Sequence, residues 1–177
     1  MSNAPKKRKI RRGDIRVSNP DKLIVKATIG QYRVIDTPPI LKAVCTTVEP
    51  GEDVAYMIRT MYQALMATKN GVGLAANQVG YNKRIIIILV DGFYQVMINP
   101  VIIDKSEDMI SSEEGCLSFP GIGKDIERHR WVKVEWMSQS GHVSREMFGQ
   151  SGDAARRVQH EIDHLDGNCL VSEGKRV

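Results

Sequence analysis

Six consecutive apolar residues, Ile85-Ile86-Ile87-Ile88-Leu89-Val90, limit the fold more than any other feature of this chain. The run is far short of the roughly 20 residues needed to cross a bilayer, so it reads as a buried strand. At 177 residues a compact chain buries roughly 70% of the surface that its unfolded form exposes, and needs no disulfide to be stable. The three cysteines, Cys45, Cys116 and Cys169, are odd in number and far apart, which argues for a reducing compartment. No apolar segment follows the basic residues at the N-terminus, so no secretory signal is expected. A soluble, cytoplasmic protein with no membrane contact is the expectation.

Charge is distributed unevenly. Residues 1–26 hold nine Lys or Arg against Asp14 and Asp21, a local +7, while the whole chain carries only +4. The sequence therefore divides into a basic, flexible N-terminal arm over 1–26 and a single domain over 27–177. Such an arm suits contact with RNA, a ribosome or an anionic lipid, and Pro5-Lys6-Lys7-Arg8-Lys9 also has the form of a nuclear-import address. A solvated tail has the same composition.

Periodicity places the elements. Tyr32 to Ile35 is a short strand candidate. From Asp53, an N-cap residue, apolar side chains at Val54, Met57, Ile58, Met61, Leu65 and Met66 predict a helix that ends near Asn70-Gly71. Strands are predicted over Arg84–Val90, Tyr94–Ile98, Val101–Ile103, Trp131–Met137 and His142–Phe148. Asp91-Gly92 and Ser140-Gly141 occupy hairpin positions, which makes the sheet largely antiparallel. After Gly152 the period changes. Asp153 is placed to cap a helix carrying Ala154, Val158, Ile162 and Leu165, which ends at Asp166-Gly167. The fold class is α+β, with antiparallel sheets packed around this helix.

The helix also carries His160-Glu161-Ile162-Asp163-His164. Positions i and i+4 lie one turn apart on one face, so both imidazoles reach a single metal ion and Glu161 reaches a water beside it. A carboxylate there takes a proton from water whose pKa the metal lowers from about 16 to about 7. A catalytic site of this type needs a third protein ligand. Glu173 downstream is one option. Cys116 is favoured, because in Glu114-Gly115-Cys116-Leu117-Ser118 the glycine permits an unusual backbone beside the thiol. Cys45 and Cys169 read as packing residues.

Three segments resemble the signature motifs of peptide deformylases, in that family's order. They are Gly71-Val72-Gly73-Leu74-Ala75-Ala76-Asn77-Gln78, Glu114-Gly115-Cys116-Leu117-Ser118 and Gln159-His160-Glu161-Ile162-Asp163-His164-Leu165-Asp166-Gly167. The resemblance runs from about Gln31 to about Leu170. It implies a peptide-deformylase-like fold, with Cys116, His160 and His164 as metal ligands. The implied reaction is hydrolysis of the N-formyl group from the initiator methionine of nascent peptides. Glu161 is then the general base, and the Gln78 amide and the Leu117 N–H stabilise the oxyanion. Val72, Gly73, Glu114 and Gly115 are implied as substrate-binding, with the peptide paired as an added strand. One divalent ion is implied. The donor set suits zinc or ferrous iron, the family typically uses ferrous iron, and nickel or cobalt are substitutes.

The chain also departs from the family. It stops at Val177, so the resemblance is to C-terminally truncated forms, without the long C-terminal helix of the usual bacterial enzyme. An Arg common a few residues after the second motif is replaced by Gly123, with Lys124 following. Asp153 and Arg157 stand where apolar residues are usual. Spacing puts 153, 157, 160 and 164 on one helical stripe, so Arg157 is expected to border the methionine pocket and weaken the preference for formyl-Met. The competing readings are a metallopeptidase that cleaves peptide bonds with the same helix and a catalytically inactive binding relative.

Overall fold

The computed structural model describes residues 10–11, 29–31, 33, 36–149 and 153–172. Apart from Ile29 and Arg33, the segments Leu23–Ile29 and Tyr32–Ile35 lie outside the described residues, as does Glu173. The isoleucine run forms strand β3 (Ile85–Val90), as expected of β-branched residues, whose side chains fit a pleated surface. Its neighbours in the larger sheet are β2 (Gly73–Ala75) and β4 (Phe93–Lys105), and the sheet continues through β7 (Val132–Met137) to β8 (Val143–Phe148). Every pairing in it is antiparallel. A two-residue strand, β1 (Ile10–Arg11), pairs with Tyr94 and Phe93 of β4. The β3–β4 turn uses Asp91 and Gly92 at φ 48° and 82°, the paired left-handed geometry that matches strand twist.

Helices cover both faces of β3. Successive strand side chains point to opposite faces, so Ile85 and Ile87 enter a cluster with Ile58, Met61 and Leu65 of α1 (Ala55–Met66). Ile86 and Ile88 enter another with Val158, Ile162 and Leu165 of α2 (Ala154–Leu165). All four isoleucines are fully buried, and each such burial is worth roughly 1.5–3 kcal/mol against exposure. An apolar face on both sides of one strand is what makes the run continuous rather than alternating.

Several boundaries differ from expectation for local reasons. The two predicted strands Tyr94–Ile98 and Val101–Ile103 are one strand, β4, with a register shift between Ile98 and Val101. Asn99 takes φ 51° there, and its amide exchanges hydrogen bonds of 2.8 and 2.9 Å with the Val48 backbone. Helix α1 ends four residues before Asn70. Thr68 Oγ1 donates to the Leu65 carbonyl and accepts from the Gly71 N–H, closing the helix without a left-handed glycine. Asp53 accepts from the Ala55 N–H at 2.9 Å. Asp153 makes no side-chain cap.

The largest departure is a second, two-stranded sheet absent from the sequence reading. β5 (Met109–Cys116) and β6 (Phe119–His129) pair antiparallel from Met109↔His129 inwards to Gly115↔Gly123. The register then slips to Cys116↔Phe119. This hairpin packs against the helix face that the large sheet leaves uncovered.

Candidate active site

Helix α2 and the end of β5 meet at three side chains of types that ligate metals, Cys116, His160 and His164. His160 and His164 stand one turn apart with ring centroids 5.0 Å from each other. Cys116 Sγ lies 3.3 Å from His164 Nε2. One ligand atom from each of the three residues lies within 4.8 Å of the others, close enough for a single ion to bind all three.

The seam between helix and hairpin is ionic and buried. Glu114 receives Arg128 on both oxygens, at 2.9 and 3.0 Å. It also receives Arg156 at 2.8 Å, and its Oε2 lies 2.8 Å from His160 Nδ1. Arg128 reaches across to Asp163 at 2.5 Å. Gln159, fully buried, bonds both the N–H and the carbonyl of His129. A carboxylate only accepts, so His160 Nδ1 donates to Glu114 and leaves Nε2 for a ligand. Burial works against the Glu114 charge, but hydrogen bonds from His160 and Arg128 overcome it and hold the carboxyl well below the usual carboxylate range. Burial also opposes charge on His160, yet hydrogen bonds to Cys116 and Glu114 push its pKa up to about 10. For His164, burial and the neighbouring His160 push the pKa well down. The ligand atoms of Cys116, His160 and His164 thus gather beside this ionic seam, and a cation fits between them.

Glu161 lies beside this cluster on the inner side of the helix. Desolvation pushes its carboxyl up to about 7. Its Oε2 is buried with no hydrogen-bond partner among the described residues. Gly73 leaves it the necessary room, since a Cβ there would sit 2.9 Å from Glu161 Cδ. Gln78 has a fixed orientation. Its Oε1 accepts from the Ala75 N–H at 2.9 Å, so its Nε2 faces Ser118 Oγ at 3.1 Å and Cys116 Sγ at 3.6 Å. Above these groups opens a cleft of about 630 Å³, bounded by residues 70–73 on one side and by the hairpin on the other. Val72, Gly73, Gly115, Leu117, Gln78, Cys116 and His160 all line it.

Two residues expected at the substrate are elsewhere. Glu114 is only 6% exposed and is absent from the cleft wall. Strand alternation puts Glu113 and Gly115 on the cleft side and turns Glu114 towards the helix. Arg157 also lies away from the cleft. Its guanidinium donates to the Leu89 carbonyl at 2.9 Å and pairs with Asp153 at 3.5 Å. Spacing puts Arg157 on the stripe of the two histidines, but its long side chain follows a hydrogen-bond acceptor that lies on β3. The sequence reading missed Arg128, Arg156 and Asp163 as supports and Glu113 as cleft wall. Asp163 lay inside the quoted motif, while the arginines had no local signal, because their partners are 14 to 42 residues away.

Comparison with known proteins agrees with this geometry. The sequence model of the family described as polypeptide deformylase matches residues 32–176. A peptide deformylase of Pseudothermotoga lettingae is 38% identical over 143 residues, covering 81% of this chain and 81% of that protein. Among solved structures, PDF from the Vibrio parahaemolyticus bacteriophage VP16T, in complex with actinonin, gives a TM-score of 0.73 at 36% identity. It covers 81% of this chain and 99% of that one. The Met-Ala-Ser bound class I type b peptide deformylase from Acinetobacter baumannii gives 0.72 at 32% identity, covering 81% and 96%. With one Cys, two His and a buried Glu gathered at its site, this chain belongs to the polypeptide deformylase family.

Proposed function

We propose that the chain hydrolyses the N-formyl group of N-formylmethionyl peptides, with Cys116, His160 and His164 holding one divalent ion. One observation carries this reading: Glu161, buried and with an oxygen that has no hydrogen-bond partner among the described residues, adjoins the Cys/His/His cluster, of which Cys116 and His160 line an open cleft. When bound, the ion supplies Lewis acidity at the formyl oxygen and acidifies water. The thiolate and two imidazoles suit ferrous iron as the working ion, with zinc, nickel or cobalt as substitutes.

The protein's own groups do the rest. Glu161 Oε2 takes the proton of the attacking water and returns it to the departing amine nitrogen. Its pKa near neutrality suits both transfers. Gln78 Nε2, held towards the site by the Ala75 N–H, donates to the formyl oxygen as charge grows there, and so does the Leu117 N–H. The backbone at Val72 and Gly73, on the cleft wall, aligns the peptide as an extra strand. Arg157 takes no part. A reducing cytoplasm protects the site's thiol, which matches three free cysteines.

We assign residues 27–177 to one catalytic domain and residues 1–26 to an arm for an anionic partner such as ribosomal RNA, an arm that the two-residue pairing of Ile10–Arg11 with β4 ties to the sheet edge. Deleting the arm should remove a salt-sensitive association and spare turnover of short peptides. The deciding assay measures formate released from formyl-Met-Ala-Ser against amine released from unblocked Met-Ala-Ser, alongside metal content. Amine release alone would overturn the reading in favour of a peptidase, and neither product would favour an inactive relative.

A further inference from the structure

Among the described residues, the buried side-chain atoms without a hydrogen-bond partner are Tyr62 Oη, Asn77 Oδ1, Glu161 Oε2 and His164 Nδ1. Tyr62 belongs to the apolar cluster around α1, and Glu161 Oε2 is assigned above to proton transfer. The other two stand on residues that already touch. Asn77, 1% exposed, lies in a short turn of 3-10 helix, Ala76–Val79. Its Nδ2 donates to the His164 carbonyl at 2.6 Å, at the end of α2, and lies 3.5 Å from the Ile40 carbonyl. Two carbonyls facing Nδ2 fix which way the amide points, so Oδ1 is a buried acceptor that receives no donor from the described residues. His164 supplies the complement. Its Nε2 faces Cys116 Sγ inside the ligand cluster, so a neutral ring carries its proton on Nδ1, a buried donor.

We infer that Asn77 is the positioning residue of His164, holding its ring through one buried water that accepts from Nδ1 and donates to Oδ1. The inference rests on Cys116, His160 and His164 holding an ion, and not on formyl hydrolysis. A metal-ligating imidazole almost always gives its second N–H to an acceptor, which sets the tautomer and the orientation of the ring. His160 gives its own to Glu114. His164 has no such protein acceptor among the described residues, and the orphaned Oδ1 belongs to the side chain that is bonded to its backbone. The two atoms are not bonded to each other, and a buried water is what joins polar groups that do not meet. Chain position gives the link its consequence. Gln78, the next residue, turns its own amide to Cys116 and Ser118. One turn therefore fixes a metal ligand and the proposed oxyanion donor relative to each other.

The test reads imidazole N–H protons by NMR in the full chain labelled with 15N-histidine and loaded with diamagnetic zinc. Wild type should show bonded Nδ1–H signals from both His160 and His164. Asn77→Leu keeps the volume without donor or acceptor. It should shift or remove the His164 signal and leave that of His160, whereas Glu114→Gln should move the His160 signal alone. Zinc affinity, from competition with a chelator, should fall about 10–100-fold in Asn77→Leu. Asn77→Ser puts a donor and an acceptor back on one hydroxyl, and should recover the His164 signal and most of the affinity. A residue that only stabilised the fold would give no such selectivity between the two rings and no rescue by serine. If Asn77→Leu does not fold, Asn77→Ala carries the same expectation. An unchanged His164 signal, or unchanged zinc affinity, in the folded variant would overturn the inference. If wild type takes up no zinc, the metal reading fails instead, and the His164 signal of metal-free wild type against Asn77→Leu still decides the link. Formate release by the loaded wild type with no response to Asn77→Leu would do the reverse.

Discussion

Helix α2 packs two partners by opposite physics. Towards the large sheet it turns Ala154, Ala155, Val158, Ile162 and Leu165, all buried among apolar strand residues. Towards the β5–β6 hairpin it turns Arg156, Gln159, His160 and Asp163, which meet Glu114, Arg128 and the His129 backbone. The apolar side supplies free energy in proportion to buried area and tolerates small shifts in position. The polar side gains little net stability, because desolvating the ions offsets their attraction. Its geometry, however, is strict. Bidentate and charge-assisted bonds lock the hairpin to the helix in one register, and that register brings Cys116 to the two histidines. Stability and site assembly are therefore carried by different faces of one helix.

Removing the base tests the polar face at its centre. Glu161→Ala should lower kcat/KM on formyl-Met-Ala-Ser by about 10²–10⁴-fold while metal content stays at one ion per chain. Turnover within tenfold of wild type would mean that another group moves the proton.

Next come paired cuts on the two faces. Arg128→Met leaves Glu114 and Asp163 buried beside a lost partner and should cost about 3–5 kcal/mol. Ile87→Ala, in the sheet core, should cost about 2–5 kcal/mol through cavity formation. Similar losses in urea denaturation should then separate in metal content. The folded Ile87 variant should still fill its site, whereas the folded Arg128 variant should not. Equal metal content in both would erase the contrast between the faces.

Glu114→Gln sharpens the comparison by keeping the shape and removing the charge. Metal affinity should fall about 10–100-fold, the usual cost of disturbing the group that orients a ligating imidazole. Competition with a chelator measures it. The smallest effect is expected at Arg157→Val, which touches only the Leu89 carbonyl and an exposed pair with Asp153. Stability should change by about 1 kcal/mol or less, and the preference for formyl-Met over formyl-Ala should not move. A changed preference would return Arg157 to the pocket.

The legible parts of the molecule share one property. The isoleucine strand, the amphipathic stripe of α1, the Asp91-Gly92 turn and the His160/His164 pair are each specified within a few neighbouring residues. The β5 segment, Met109-Ile-Ser-Ser-Glu-Glu-Gly-Cys116, shows no apolar alternation, because its buried face is served by ion pairs rather than by a core. No period search finds such a strand. The resemblance implies a substrate contact for Glu114, which lies in a motif with Cys116, and only the pleat turns it inwards.

What the sequence determined by itself was the helix that bears the histidines, the doubly covered strand beneath it and the chemistry that Cys, His and Glu can perform together. Those follow from local period and from side-chain donors, which need no knowledge of distant residues. The tertiary structure decided which carboxylate orients His160, which one lines the cleft and where Arg157 is anchored. Each of those depends on a partner 14 to 68 residues away in the chain, and a charged side chain goes to whichever acceptor the folded backbone brings within reach.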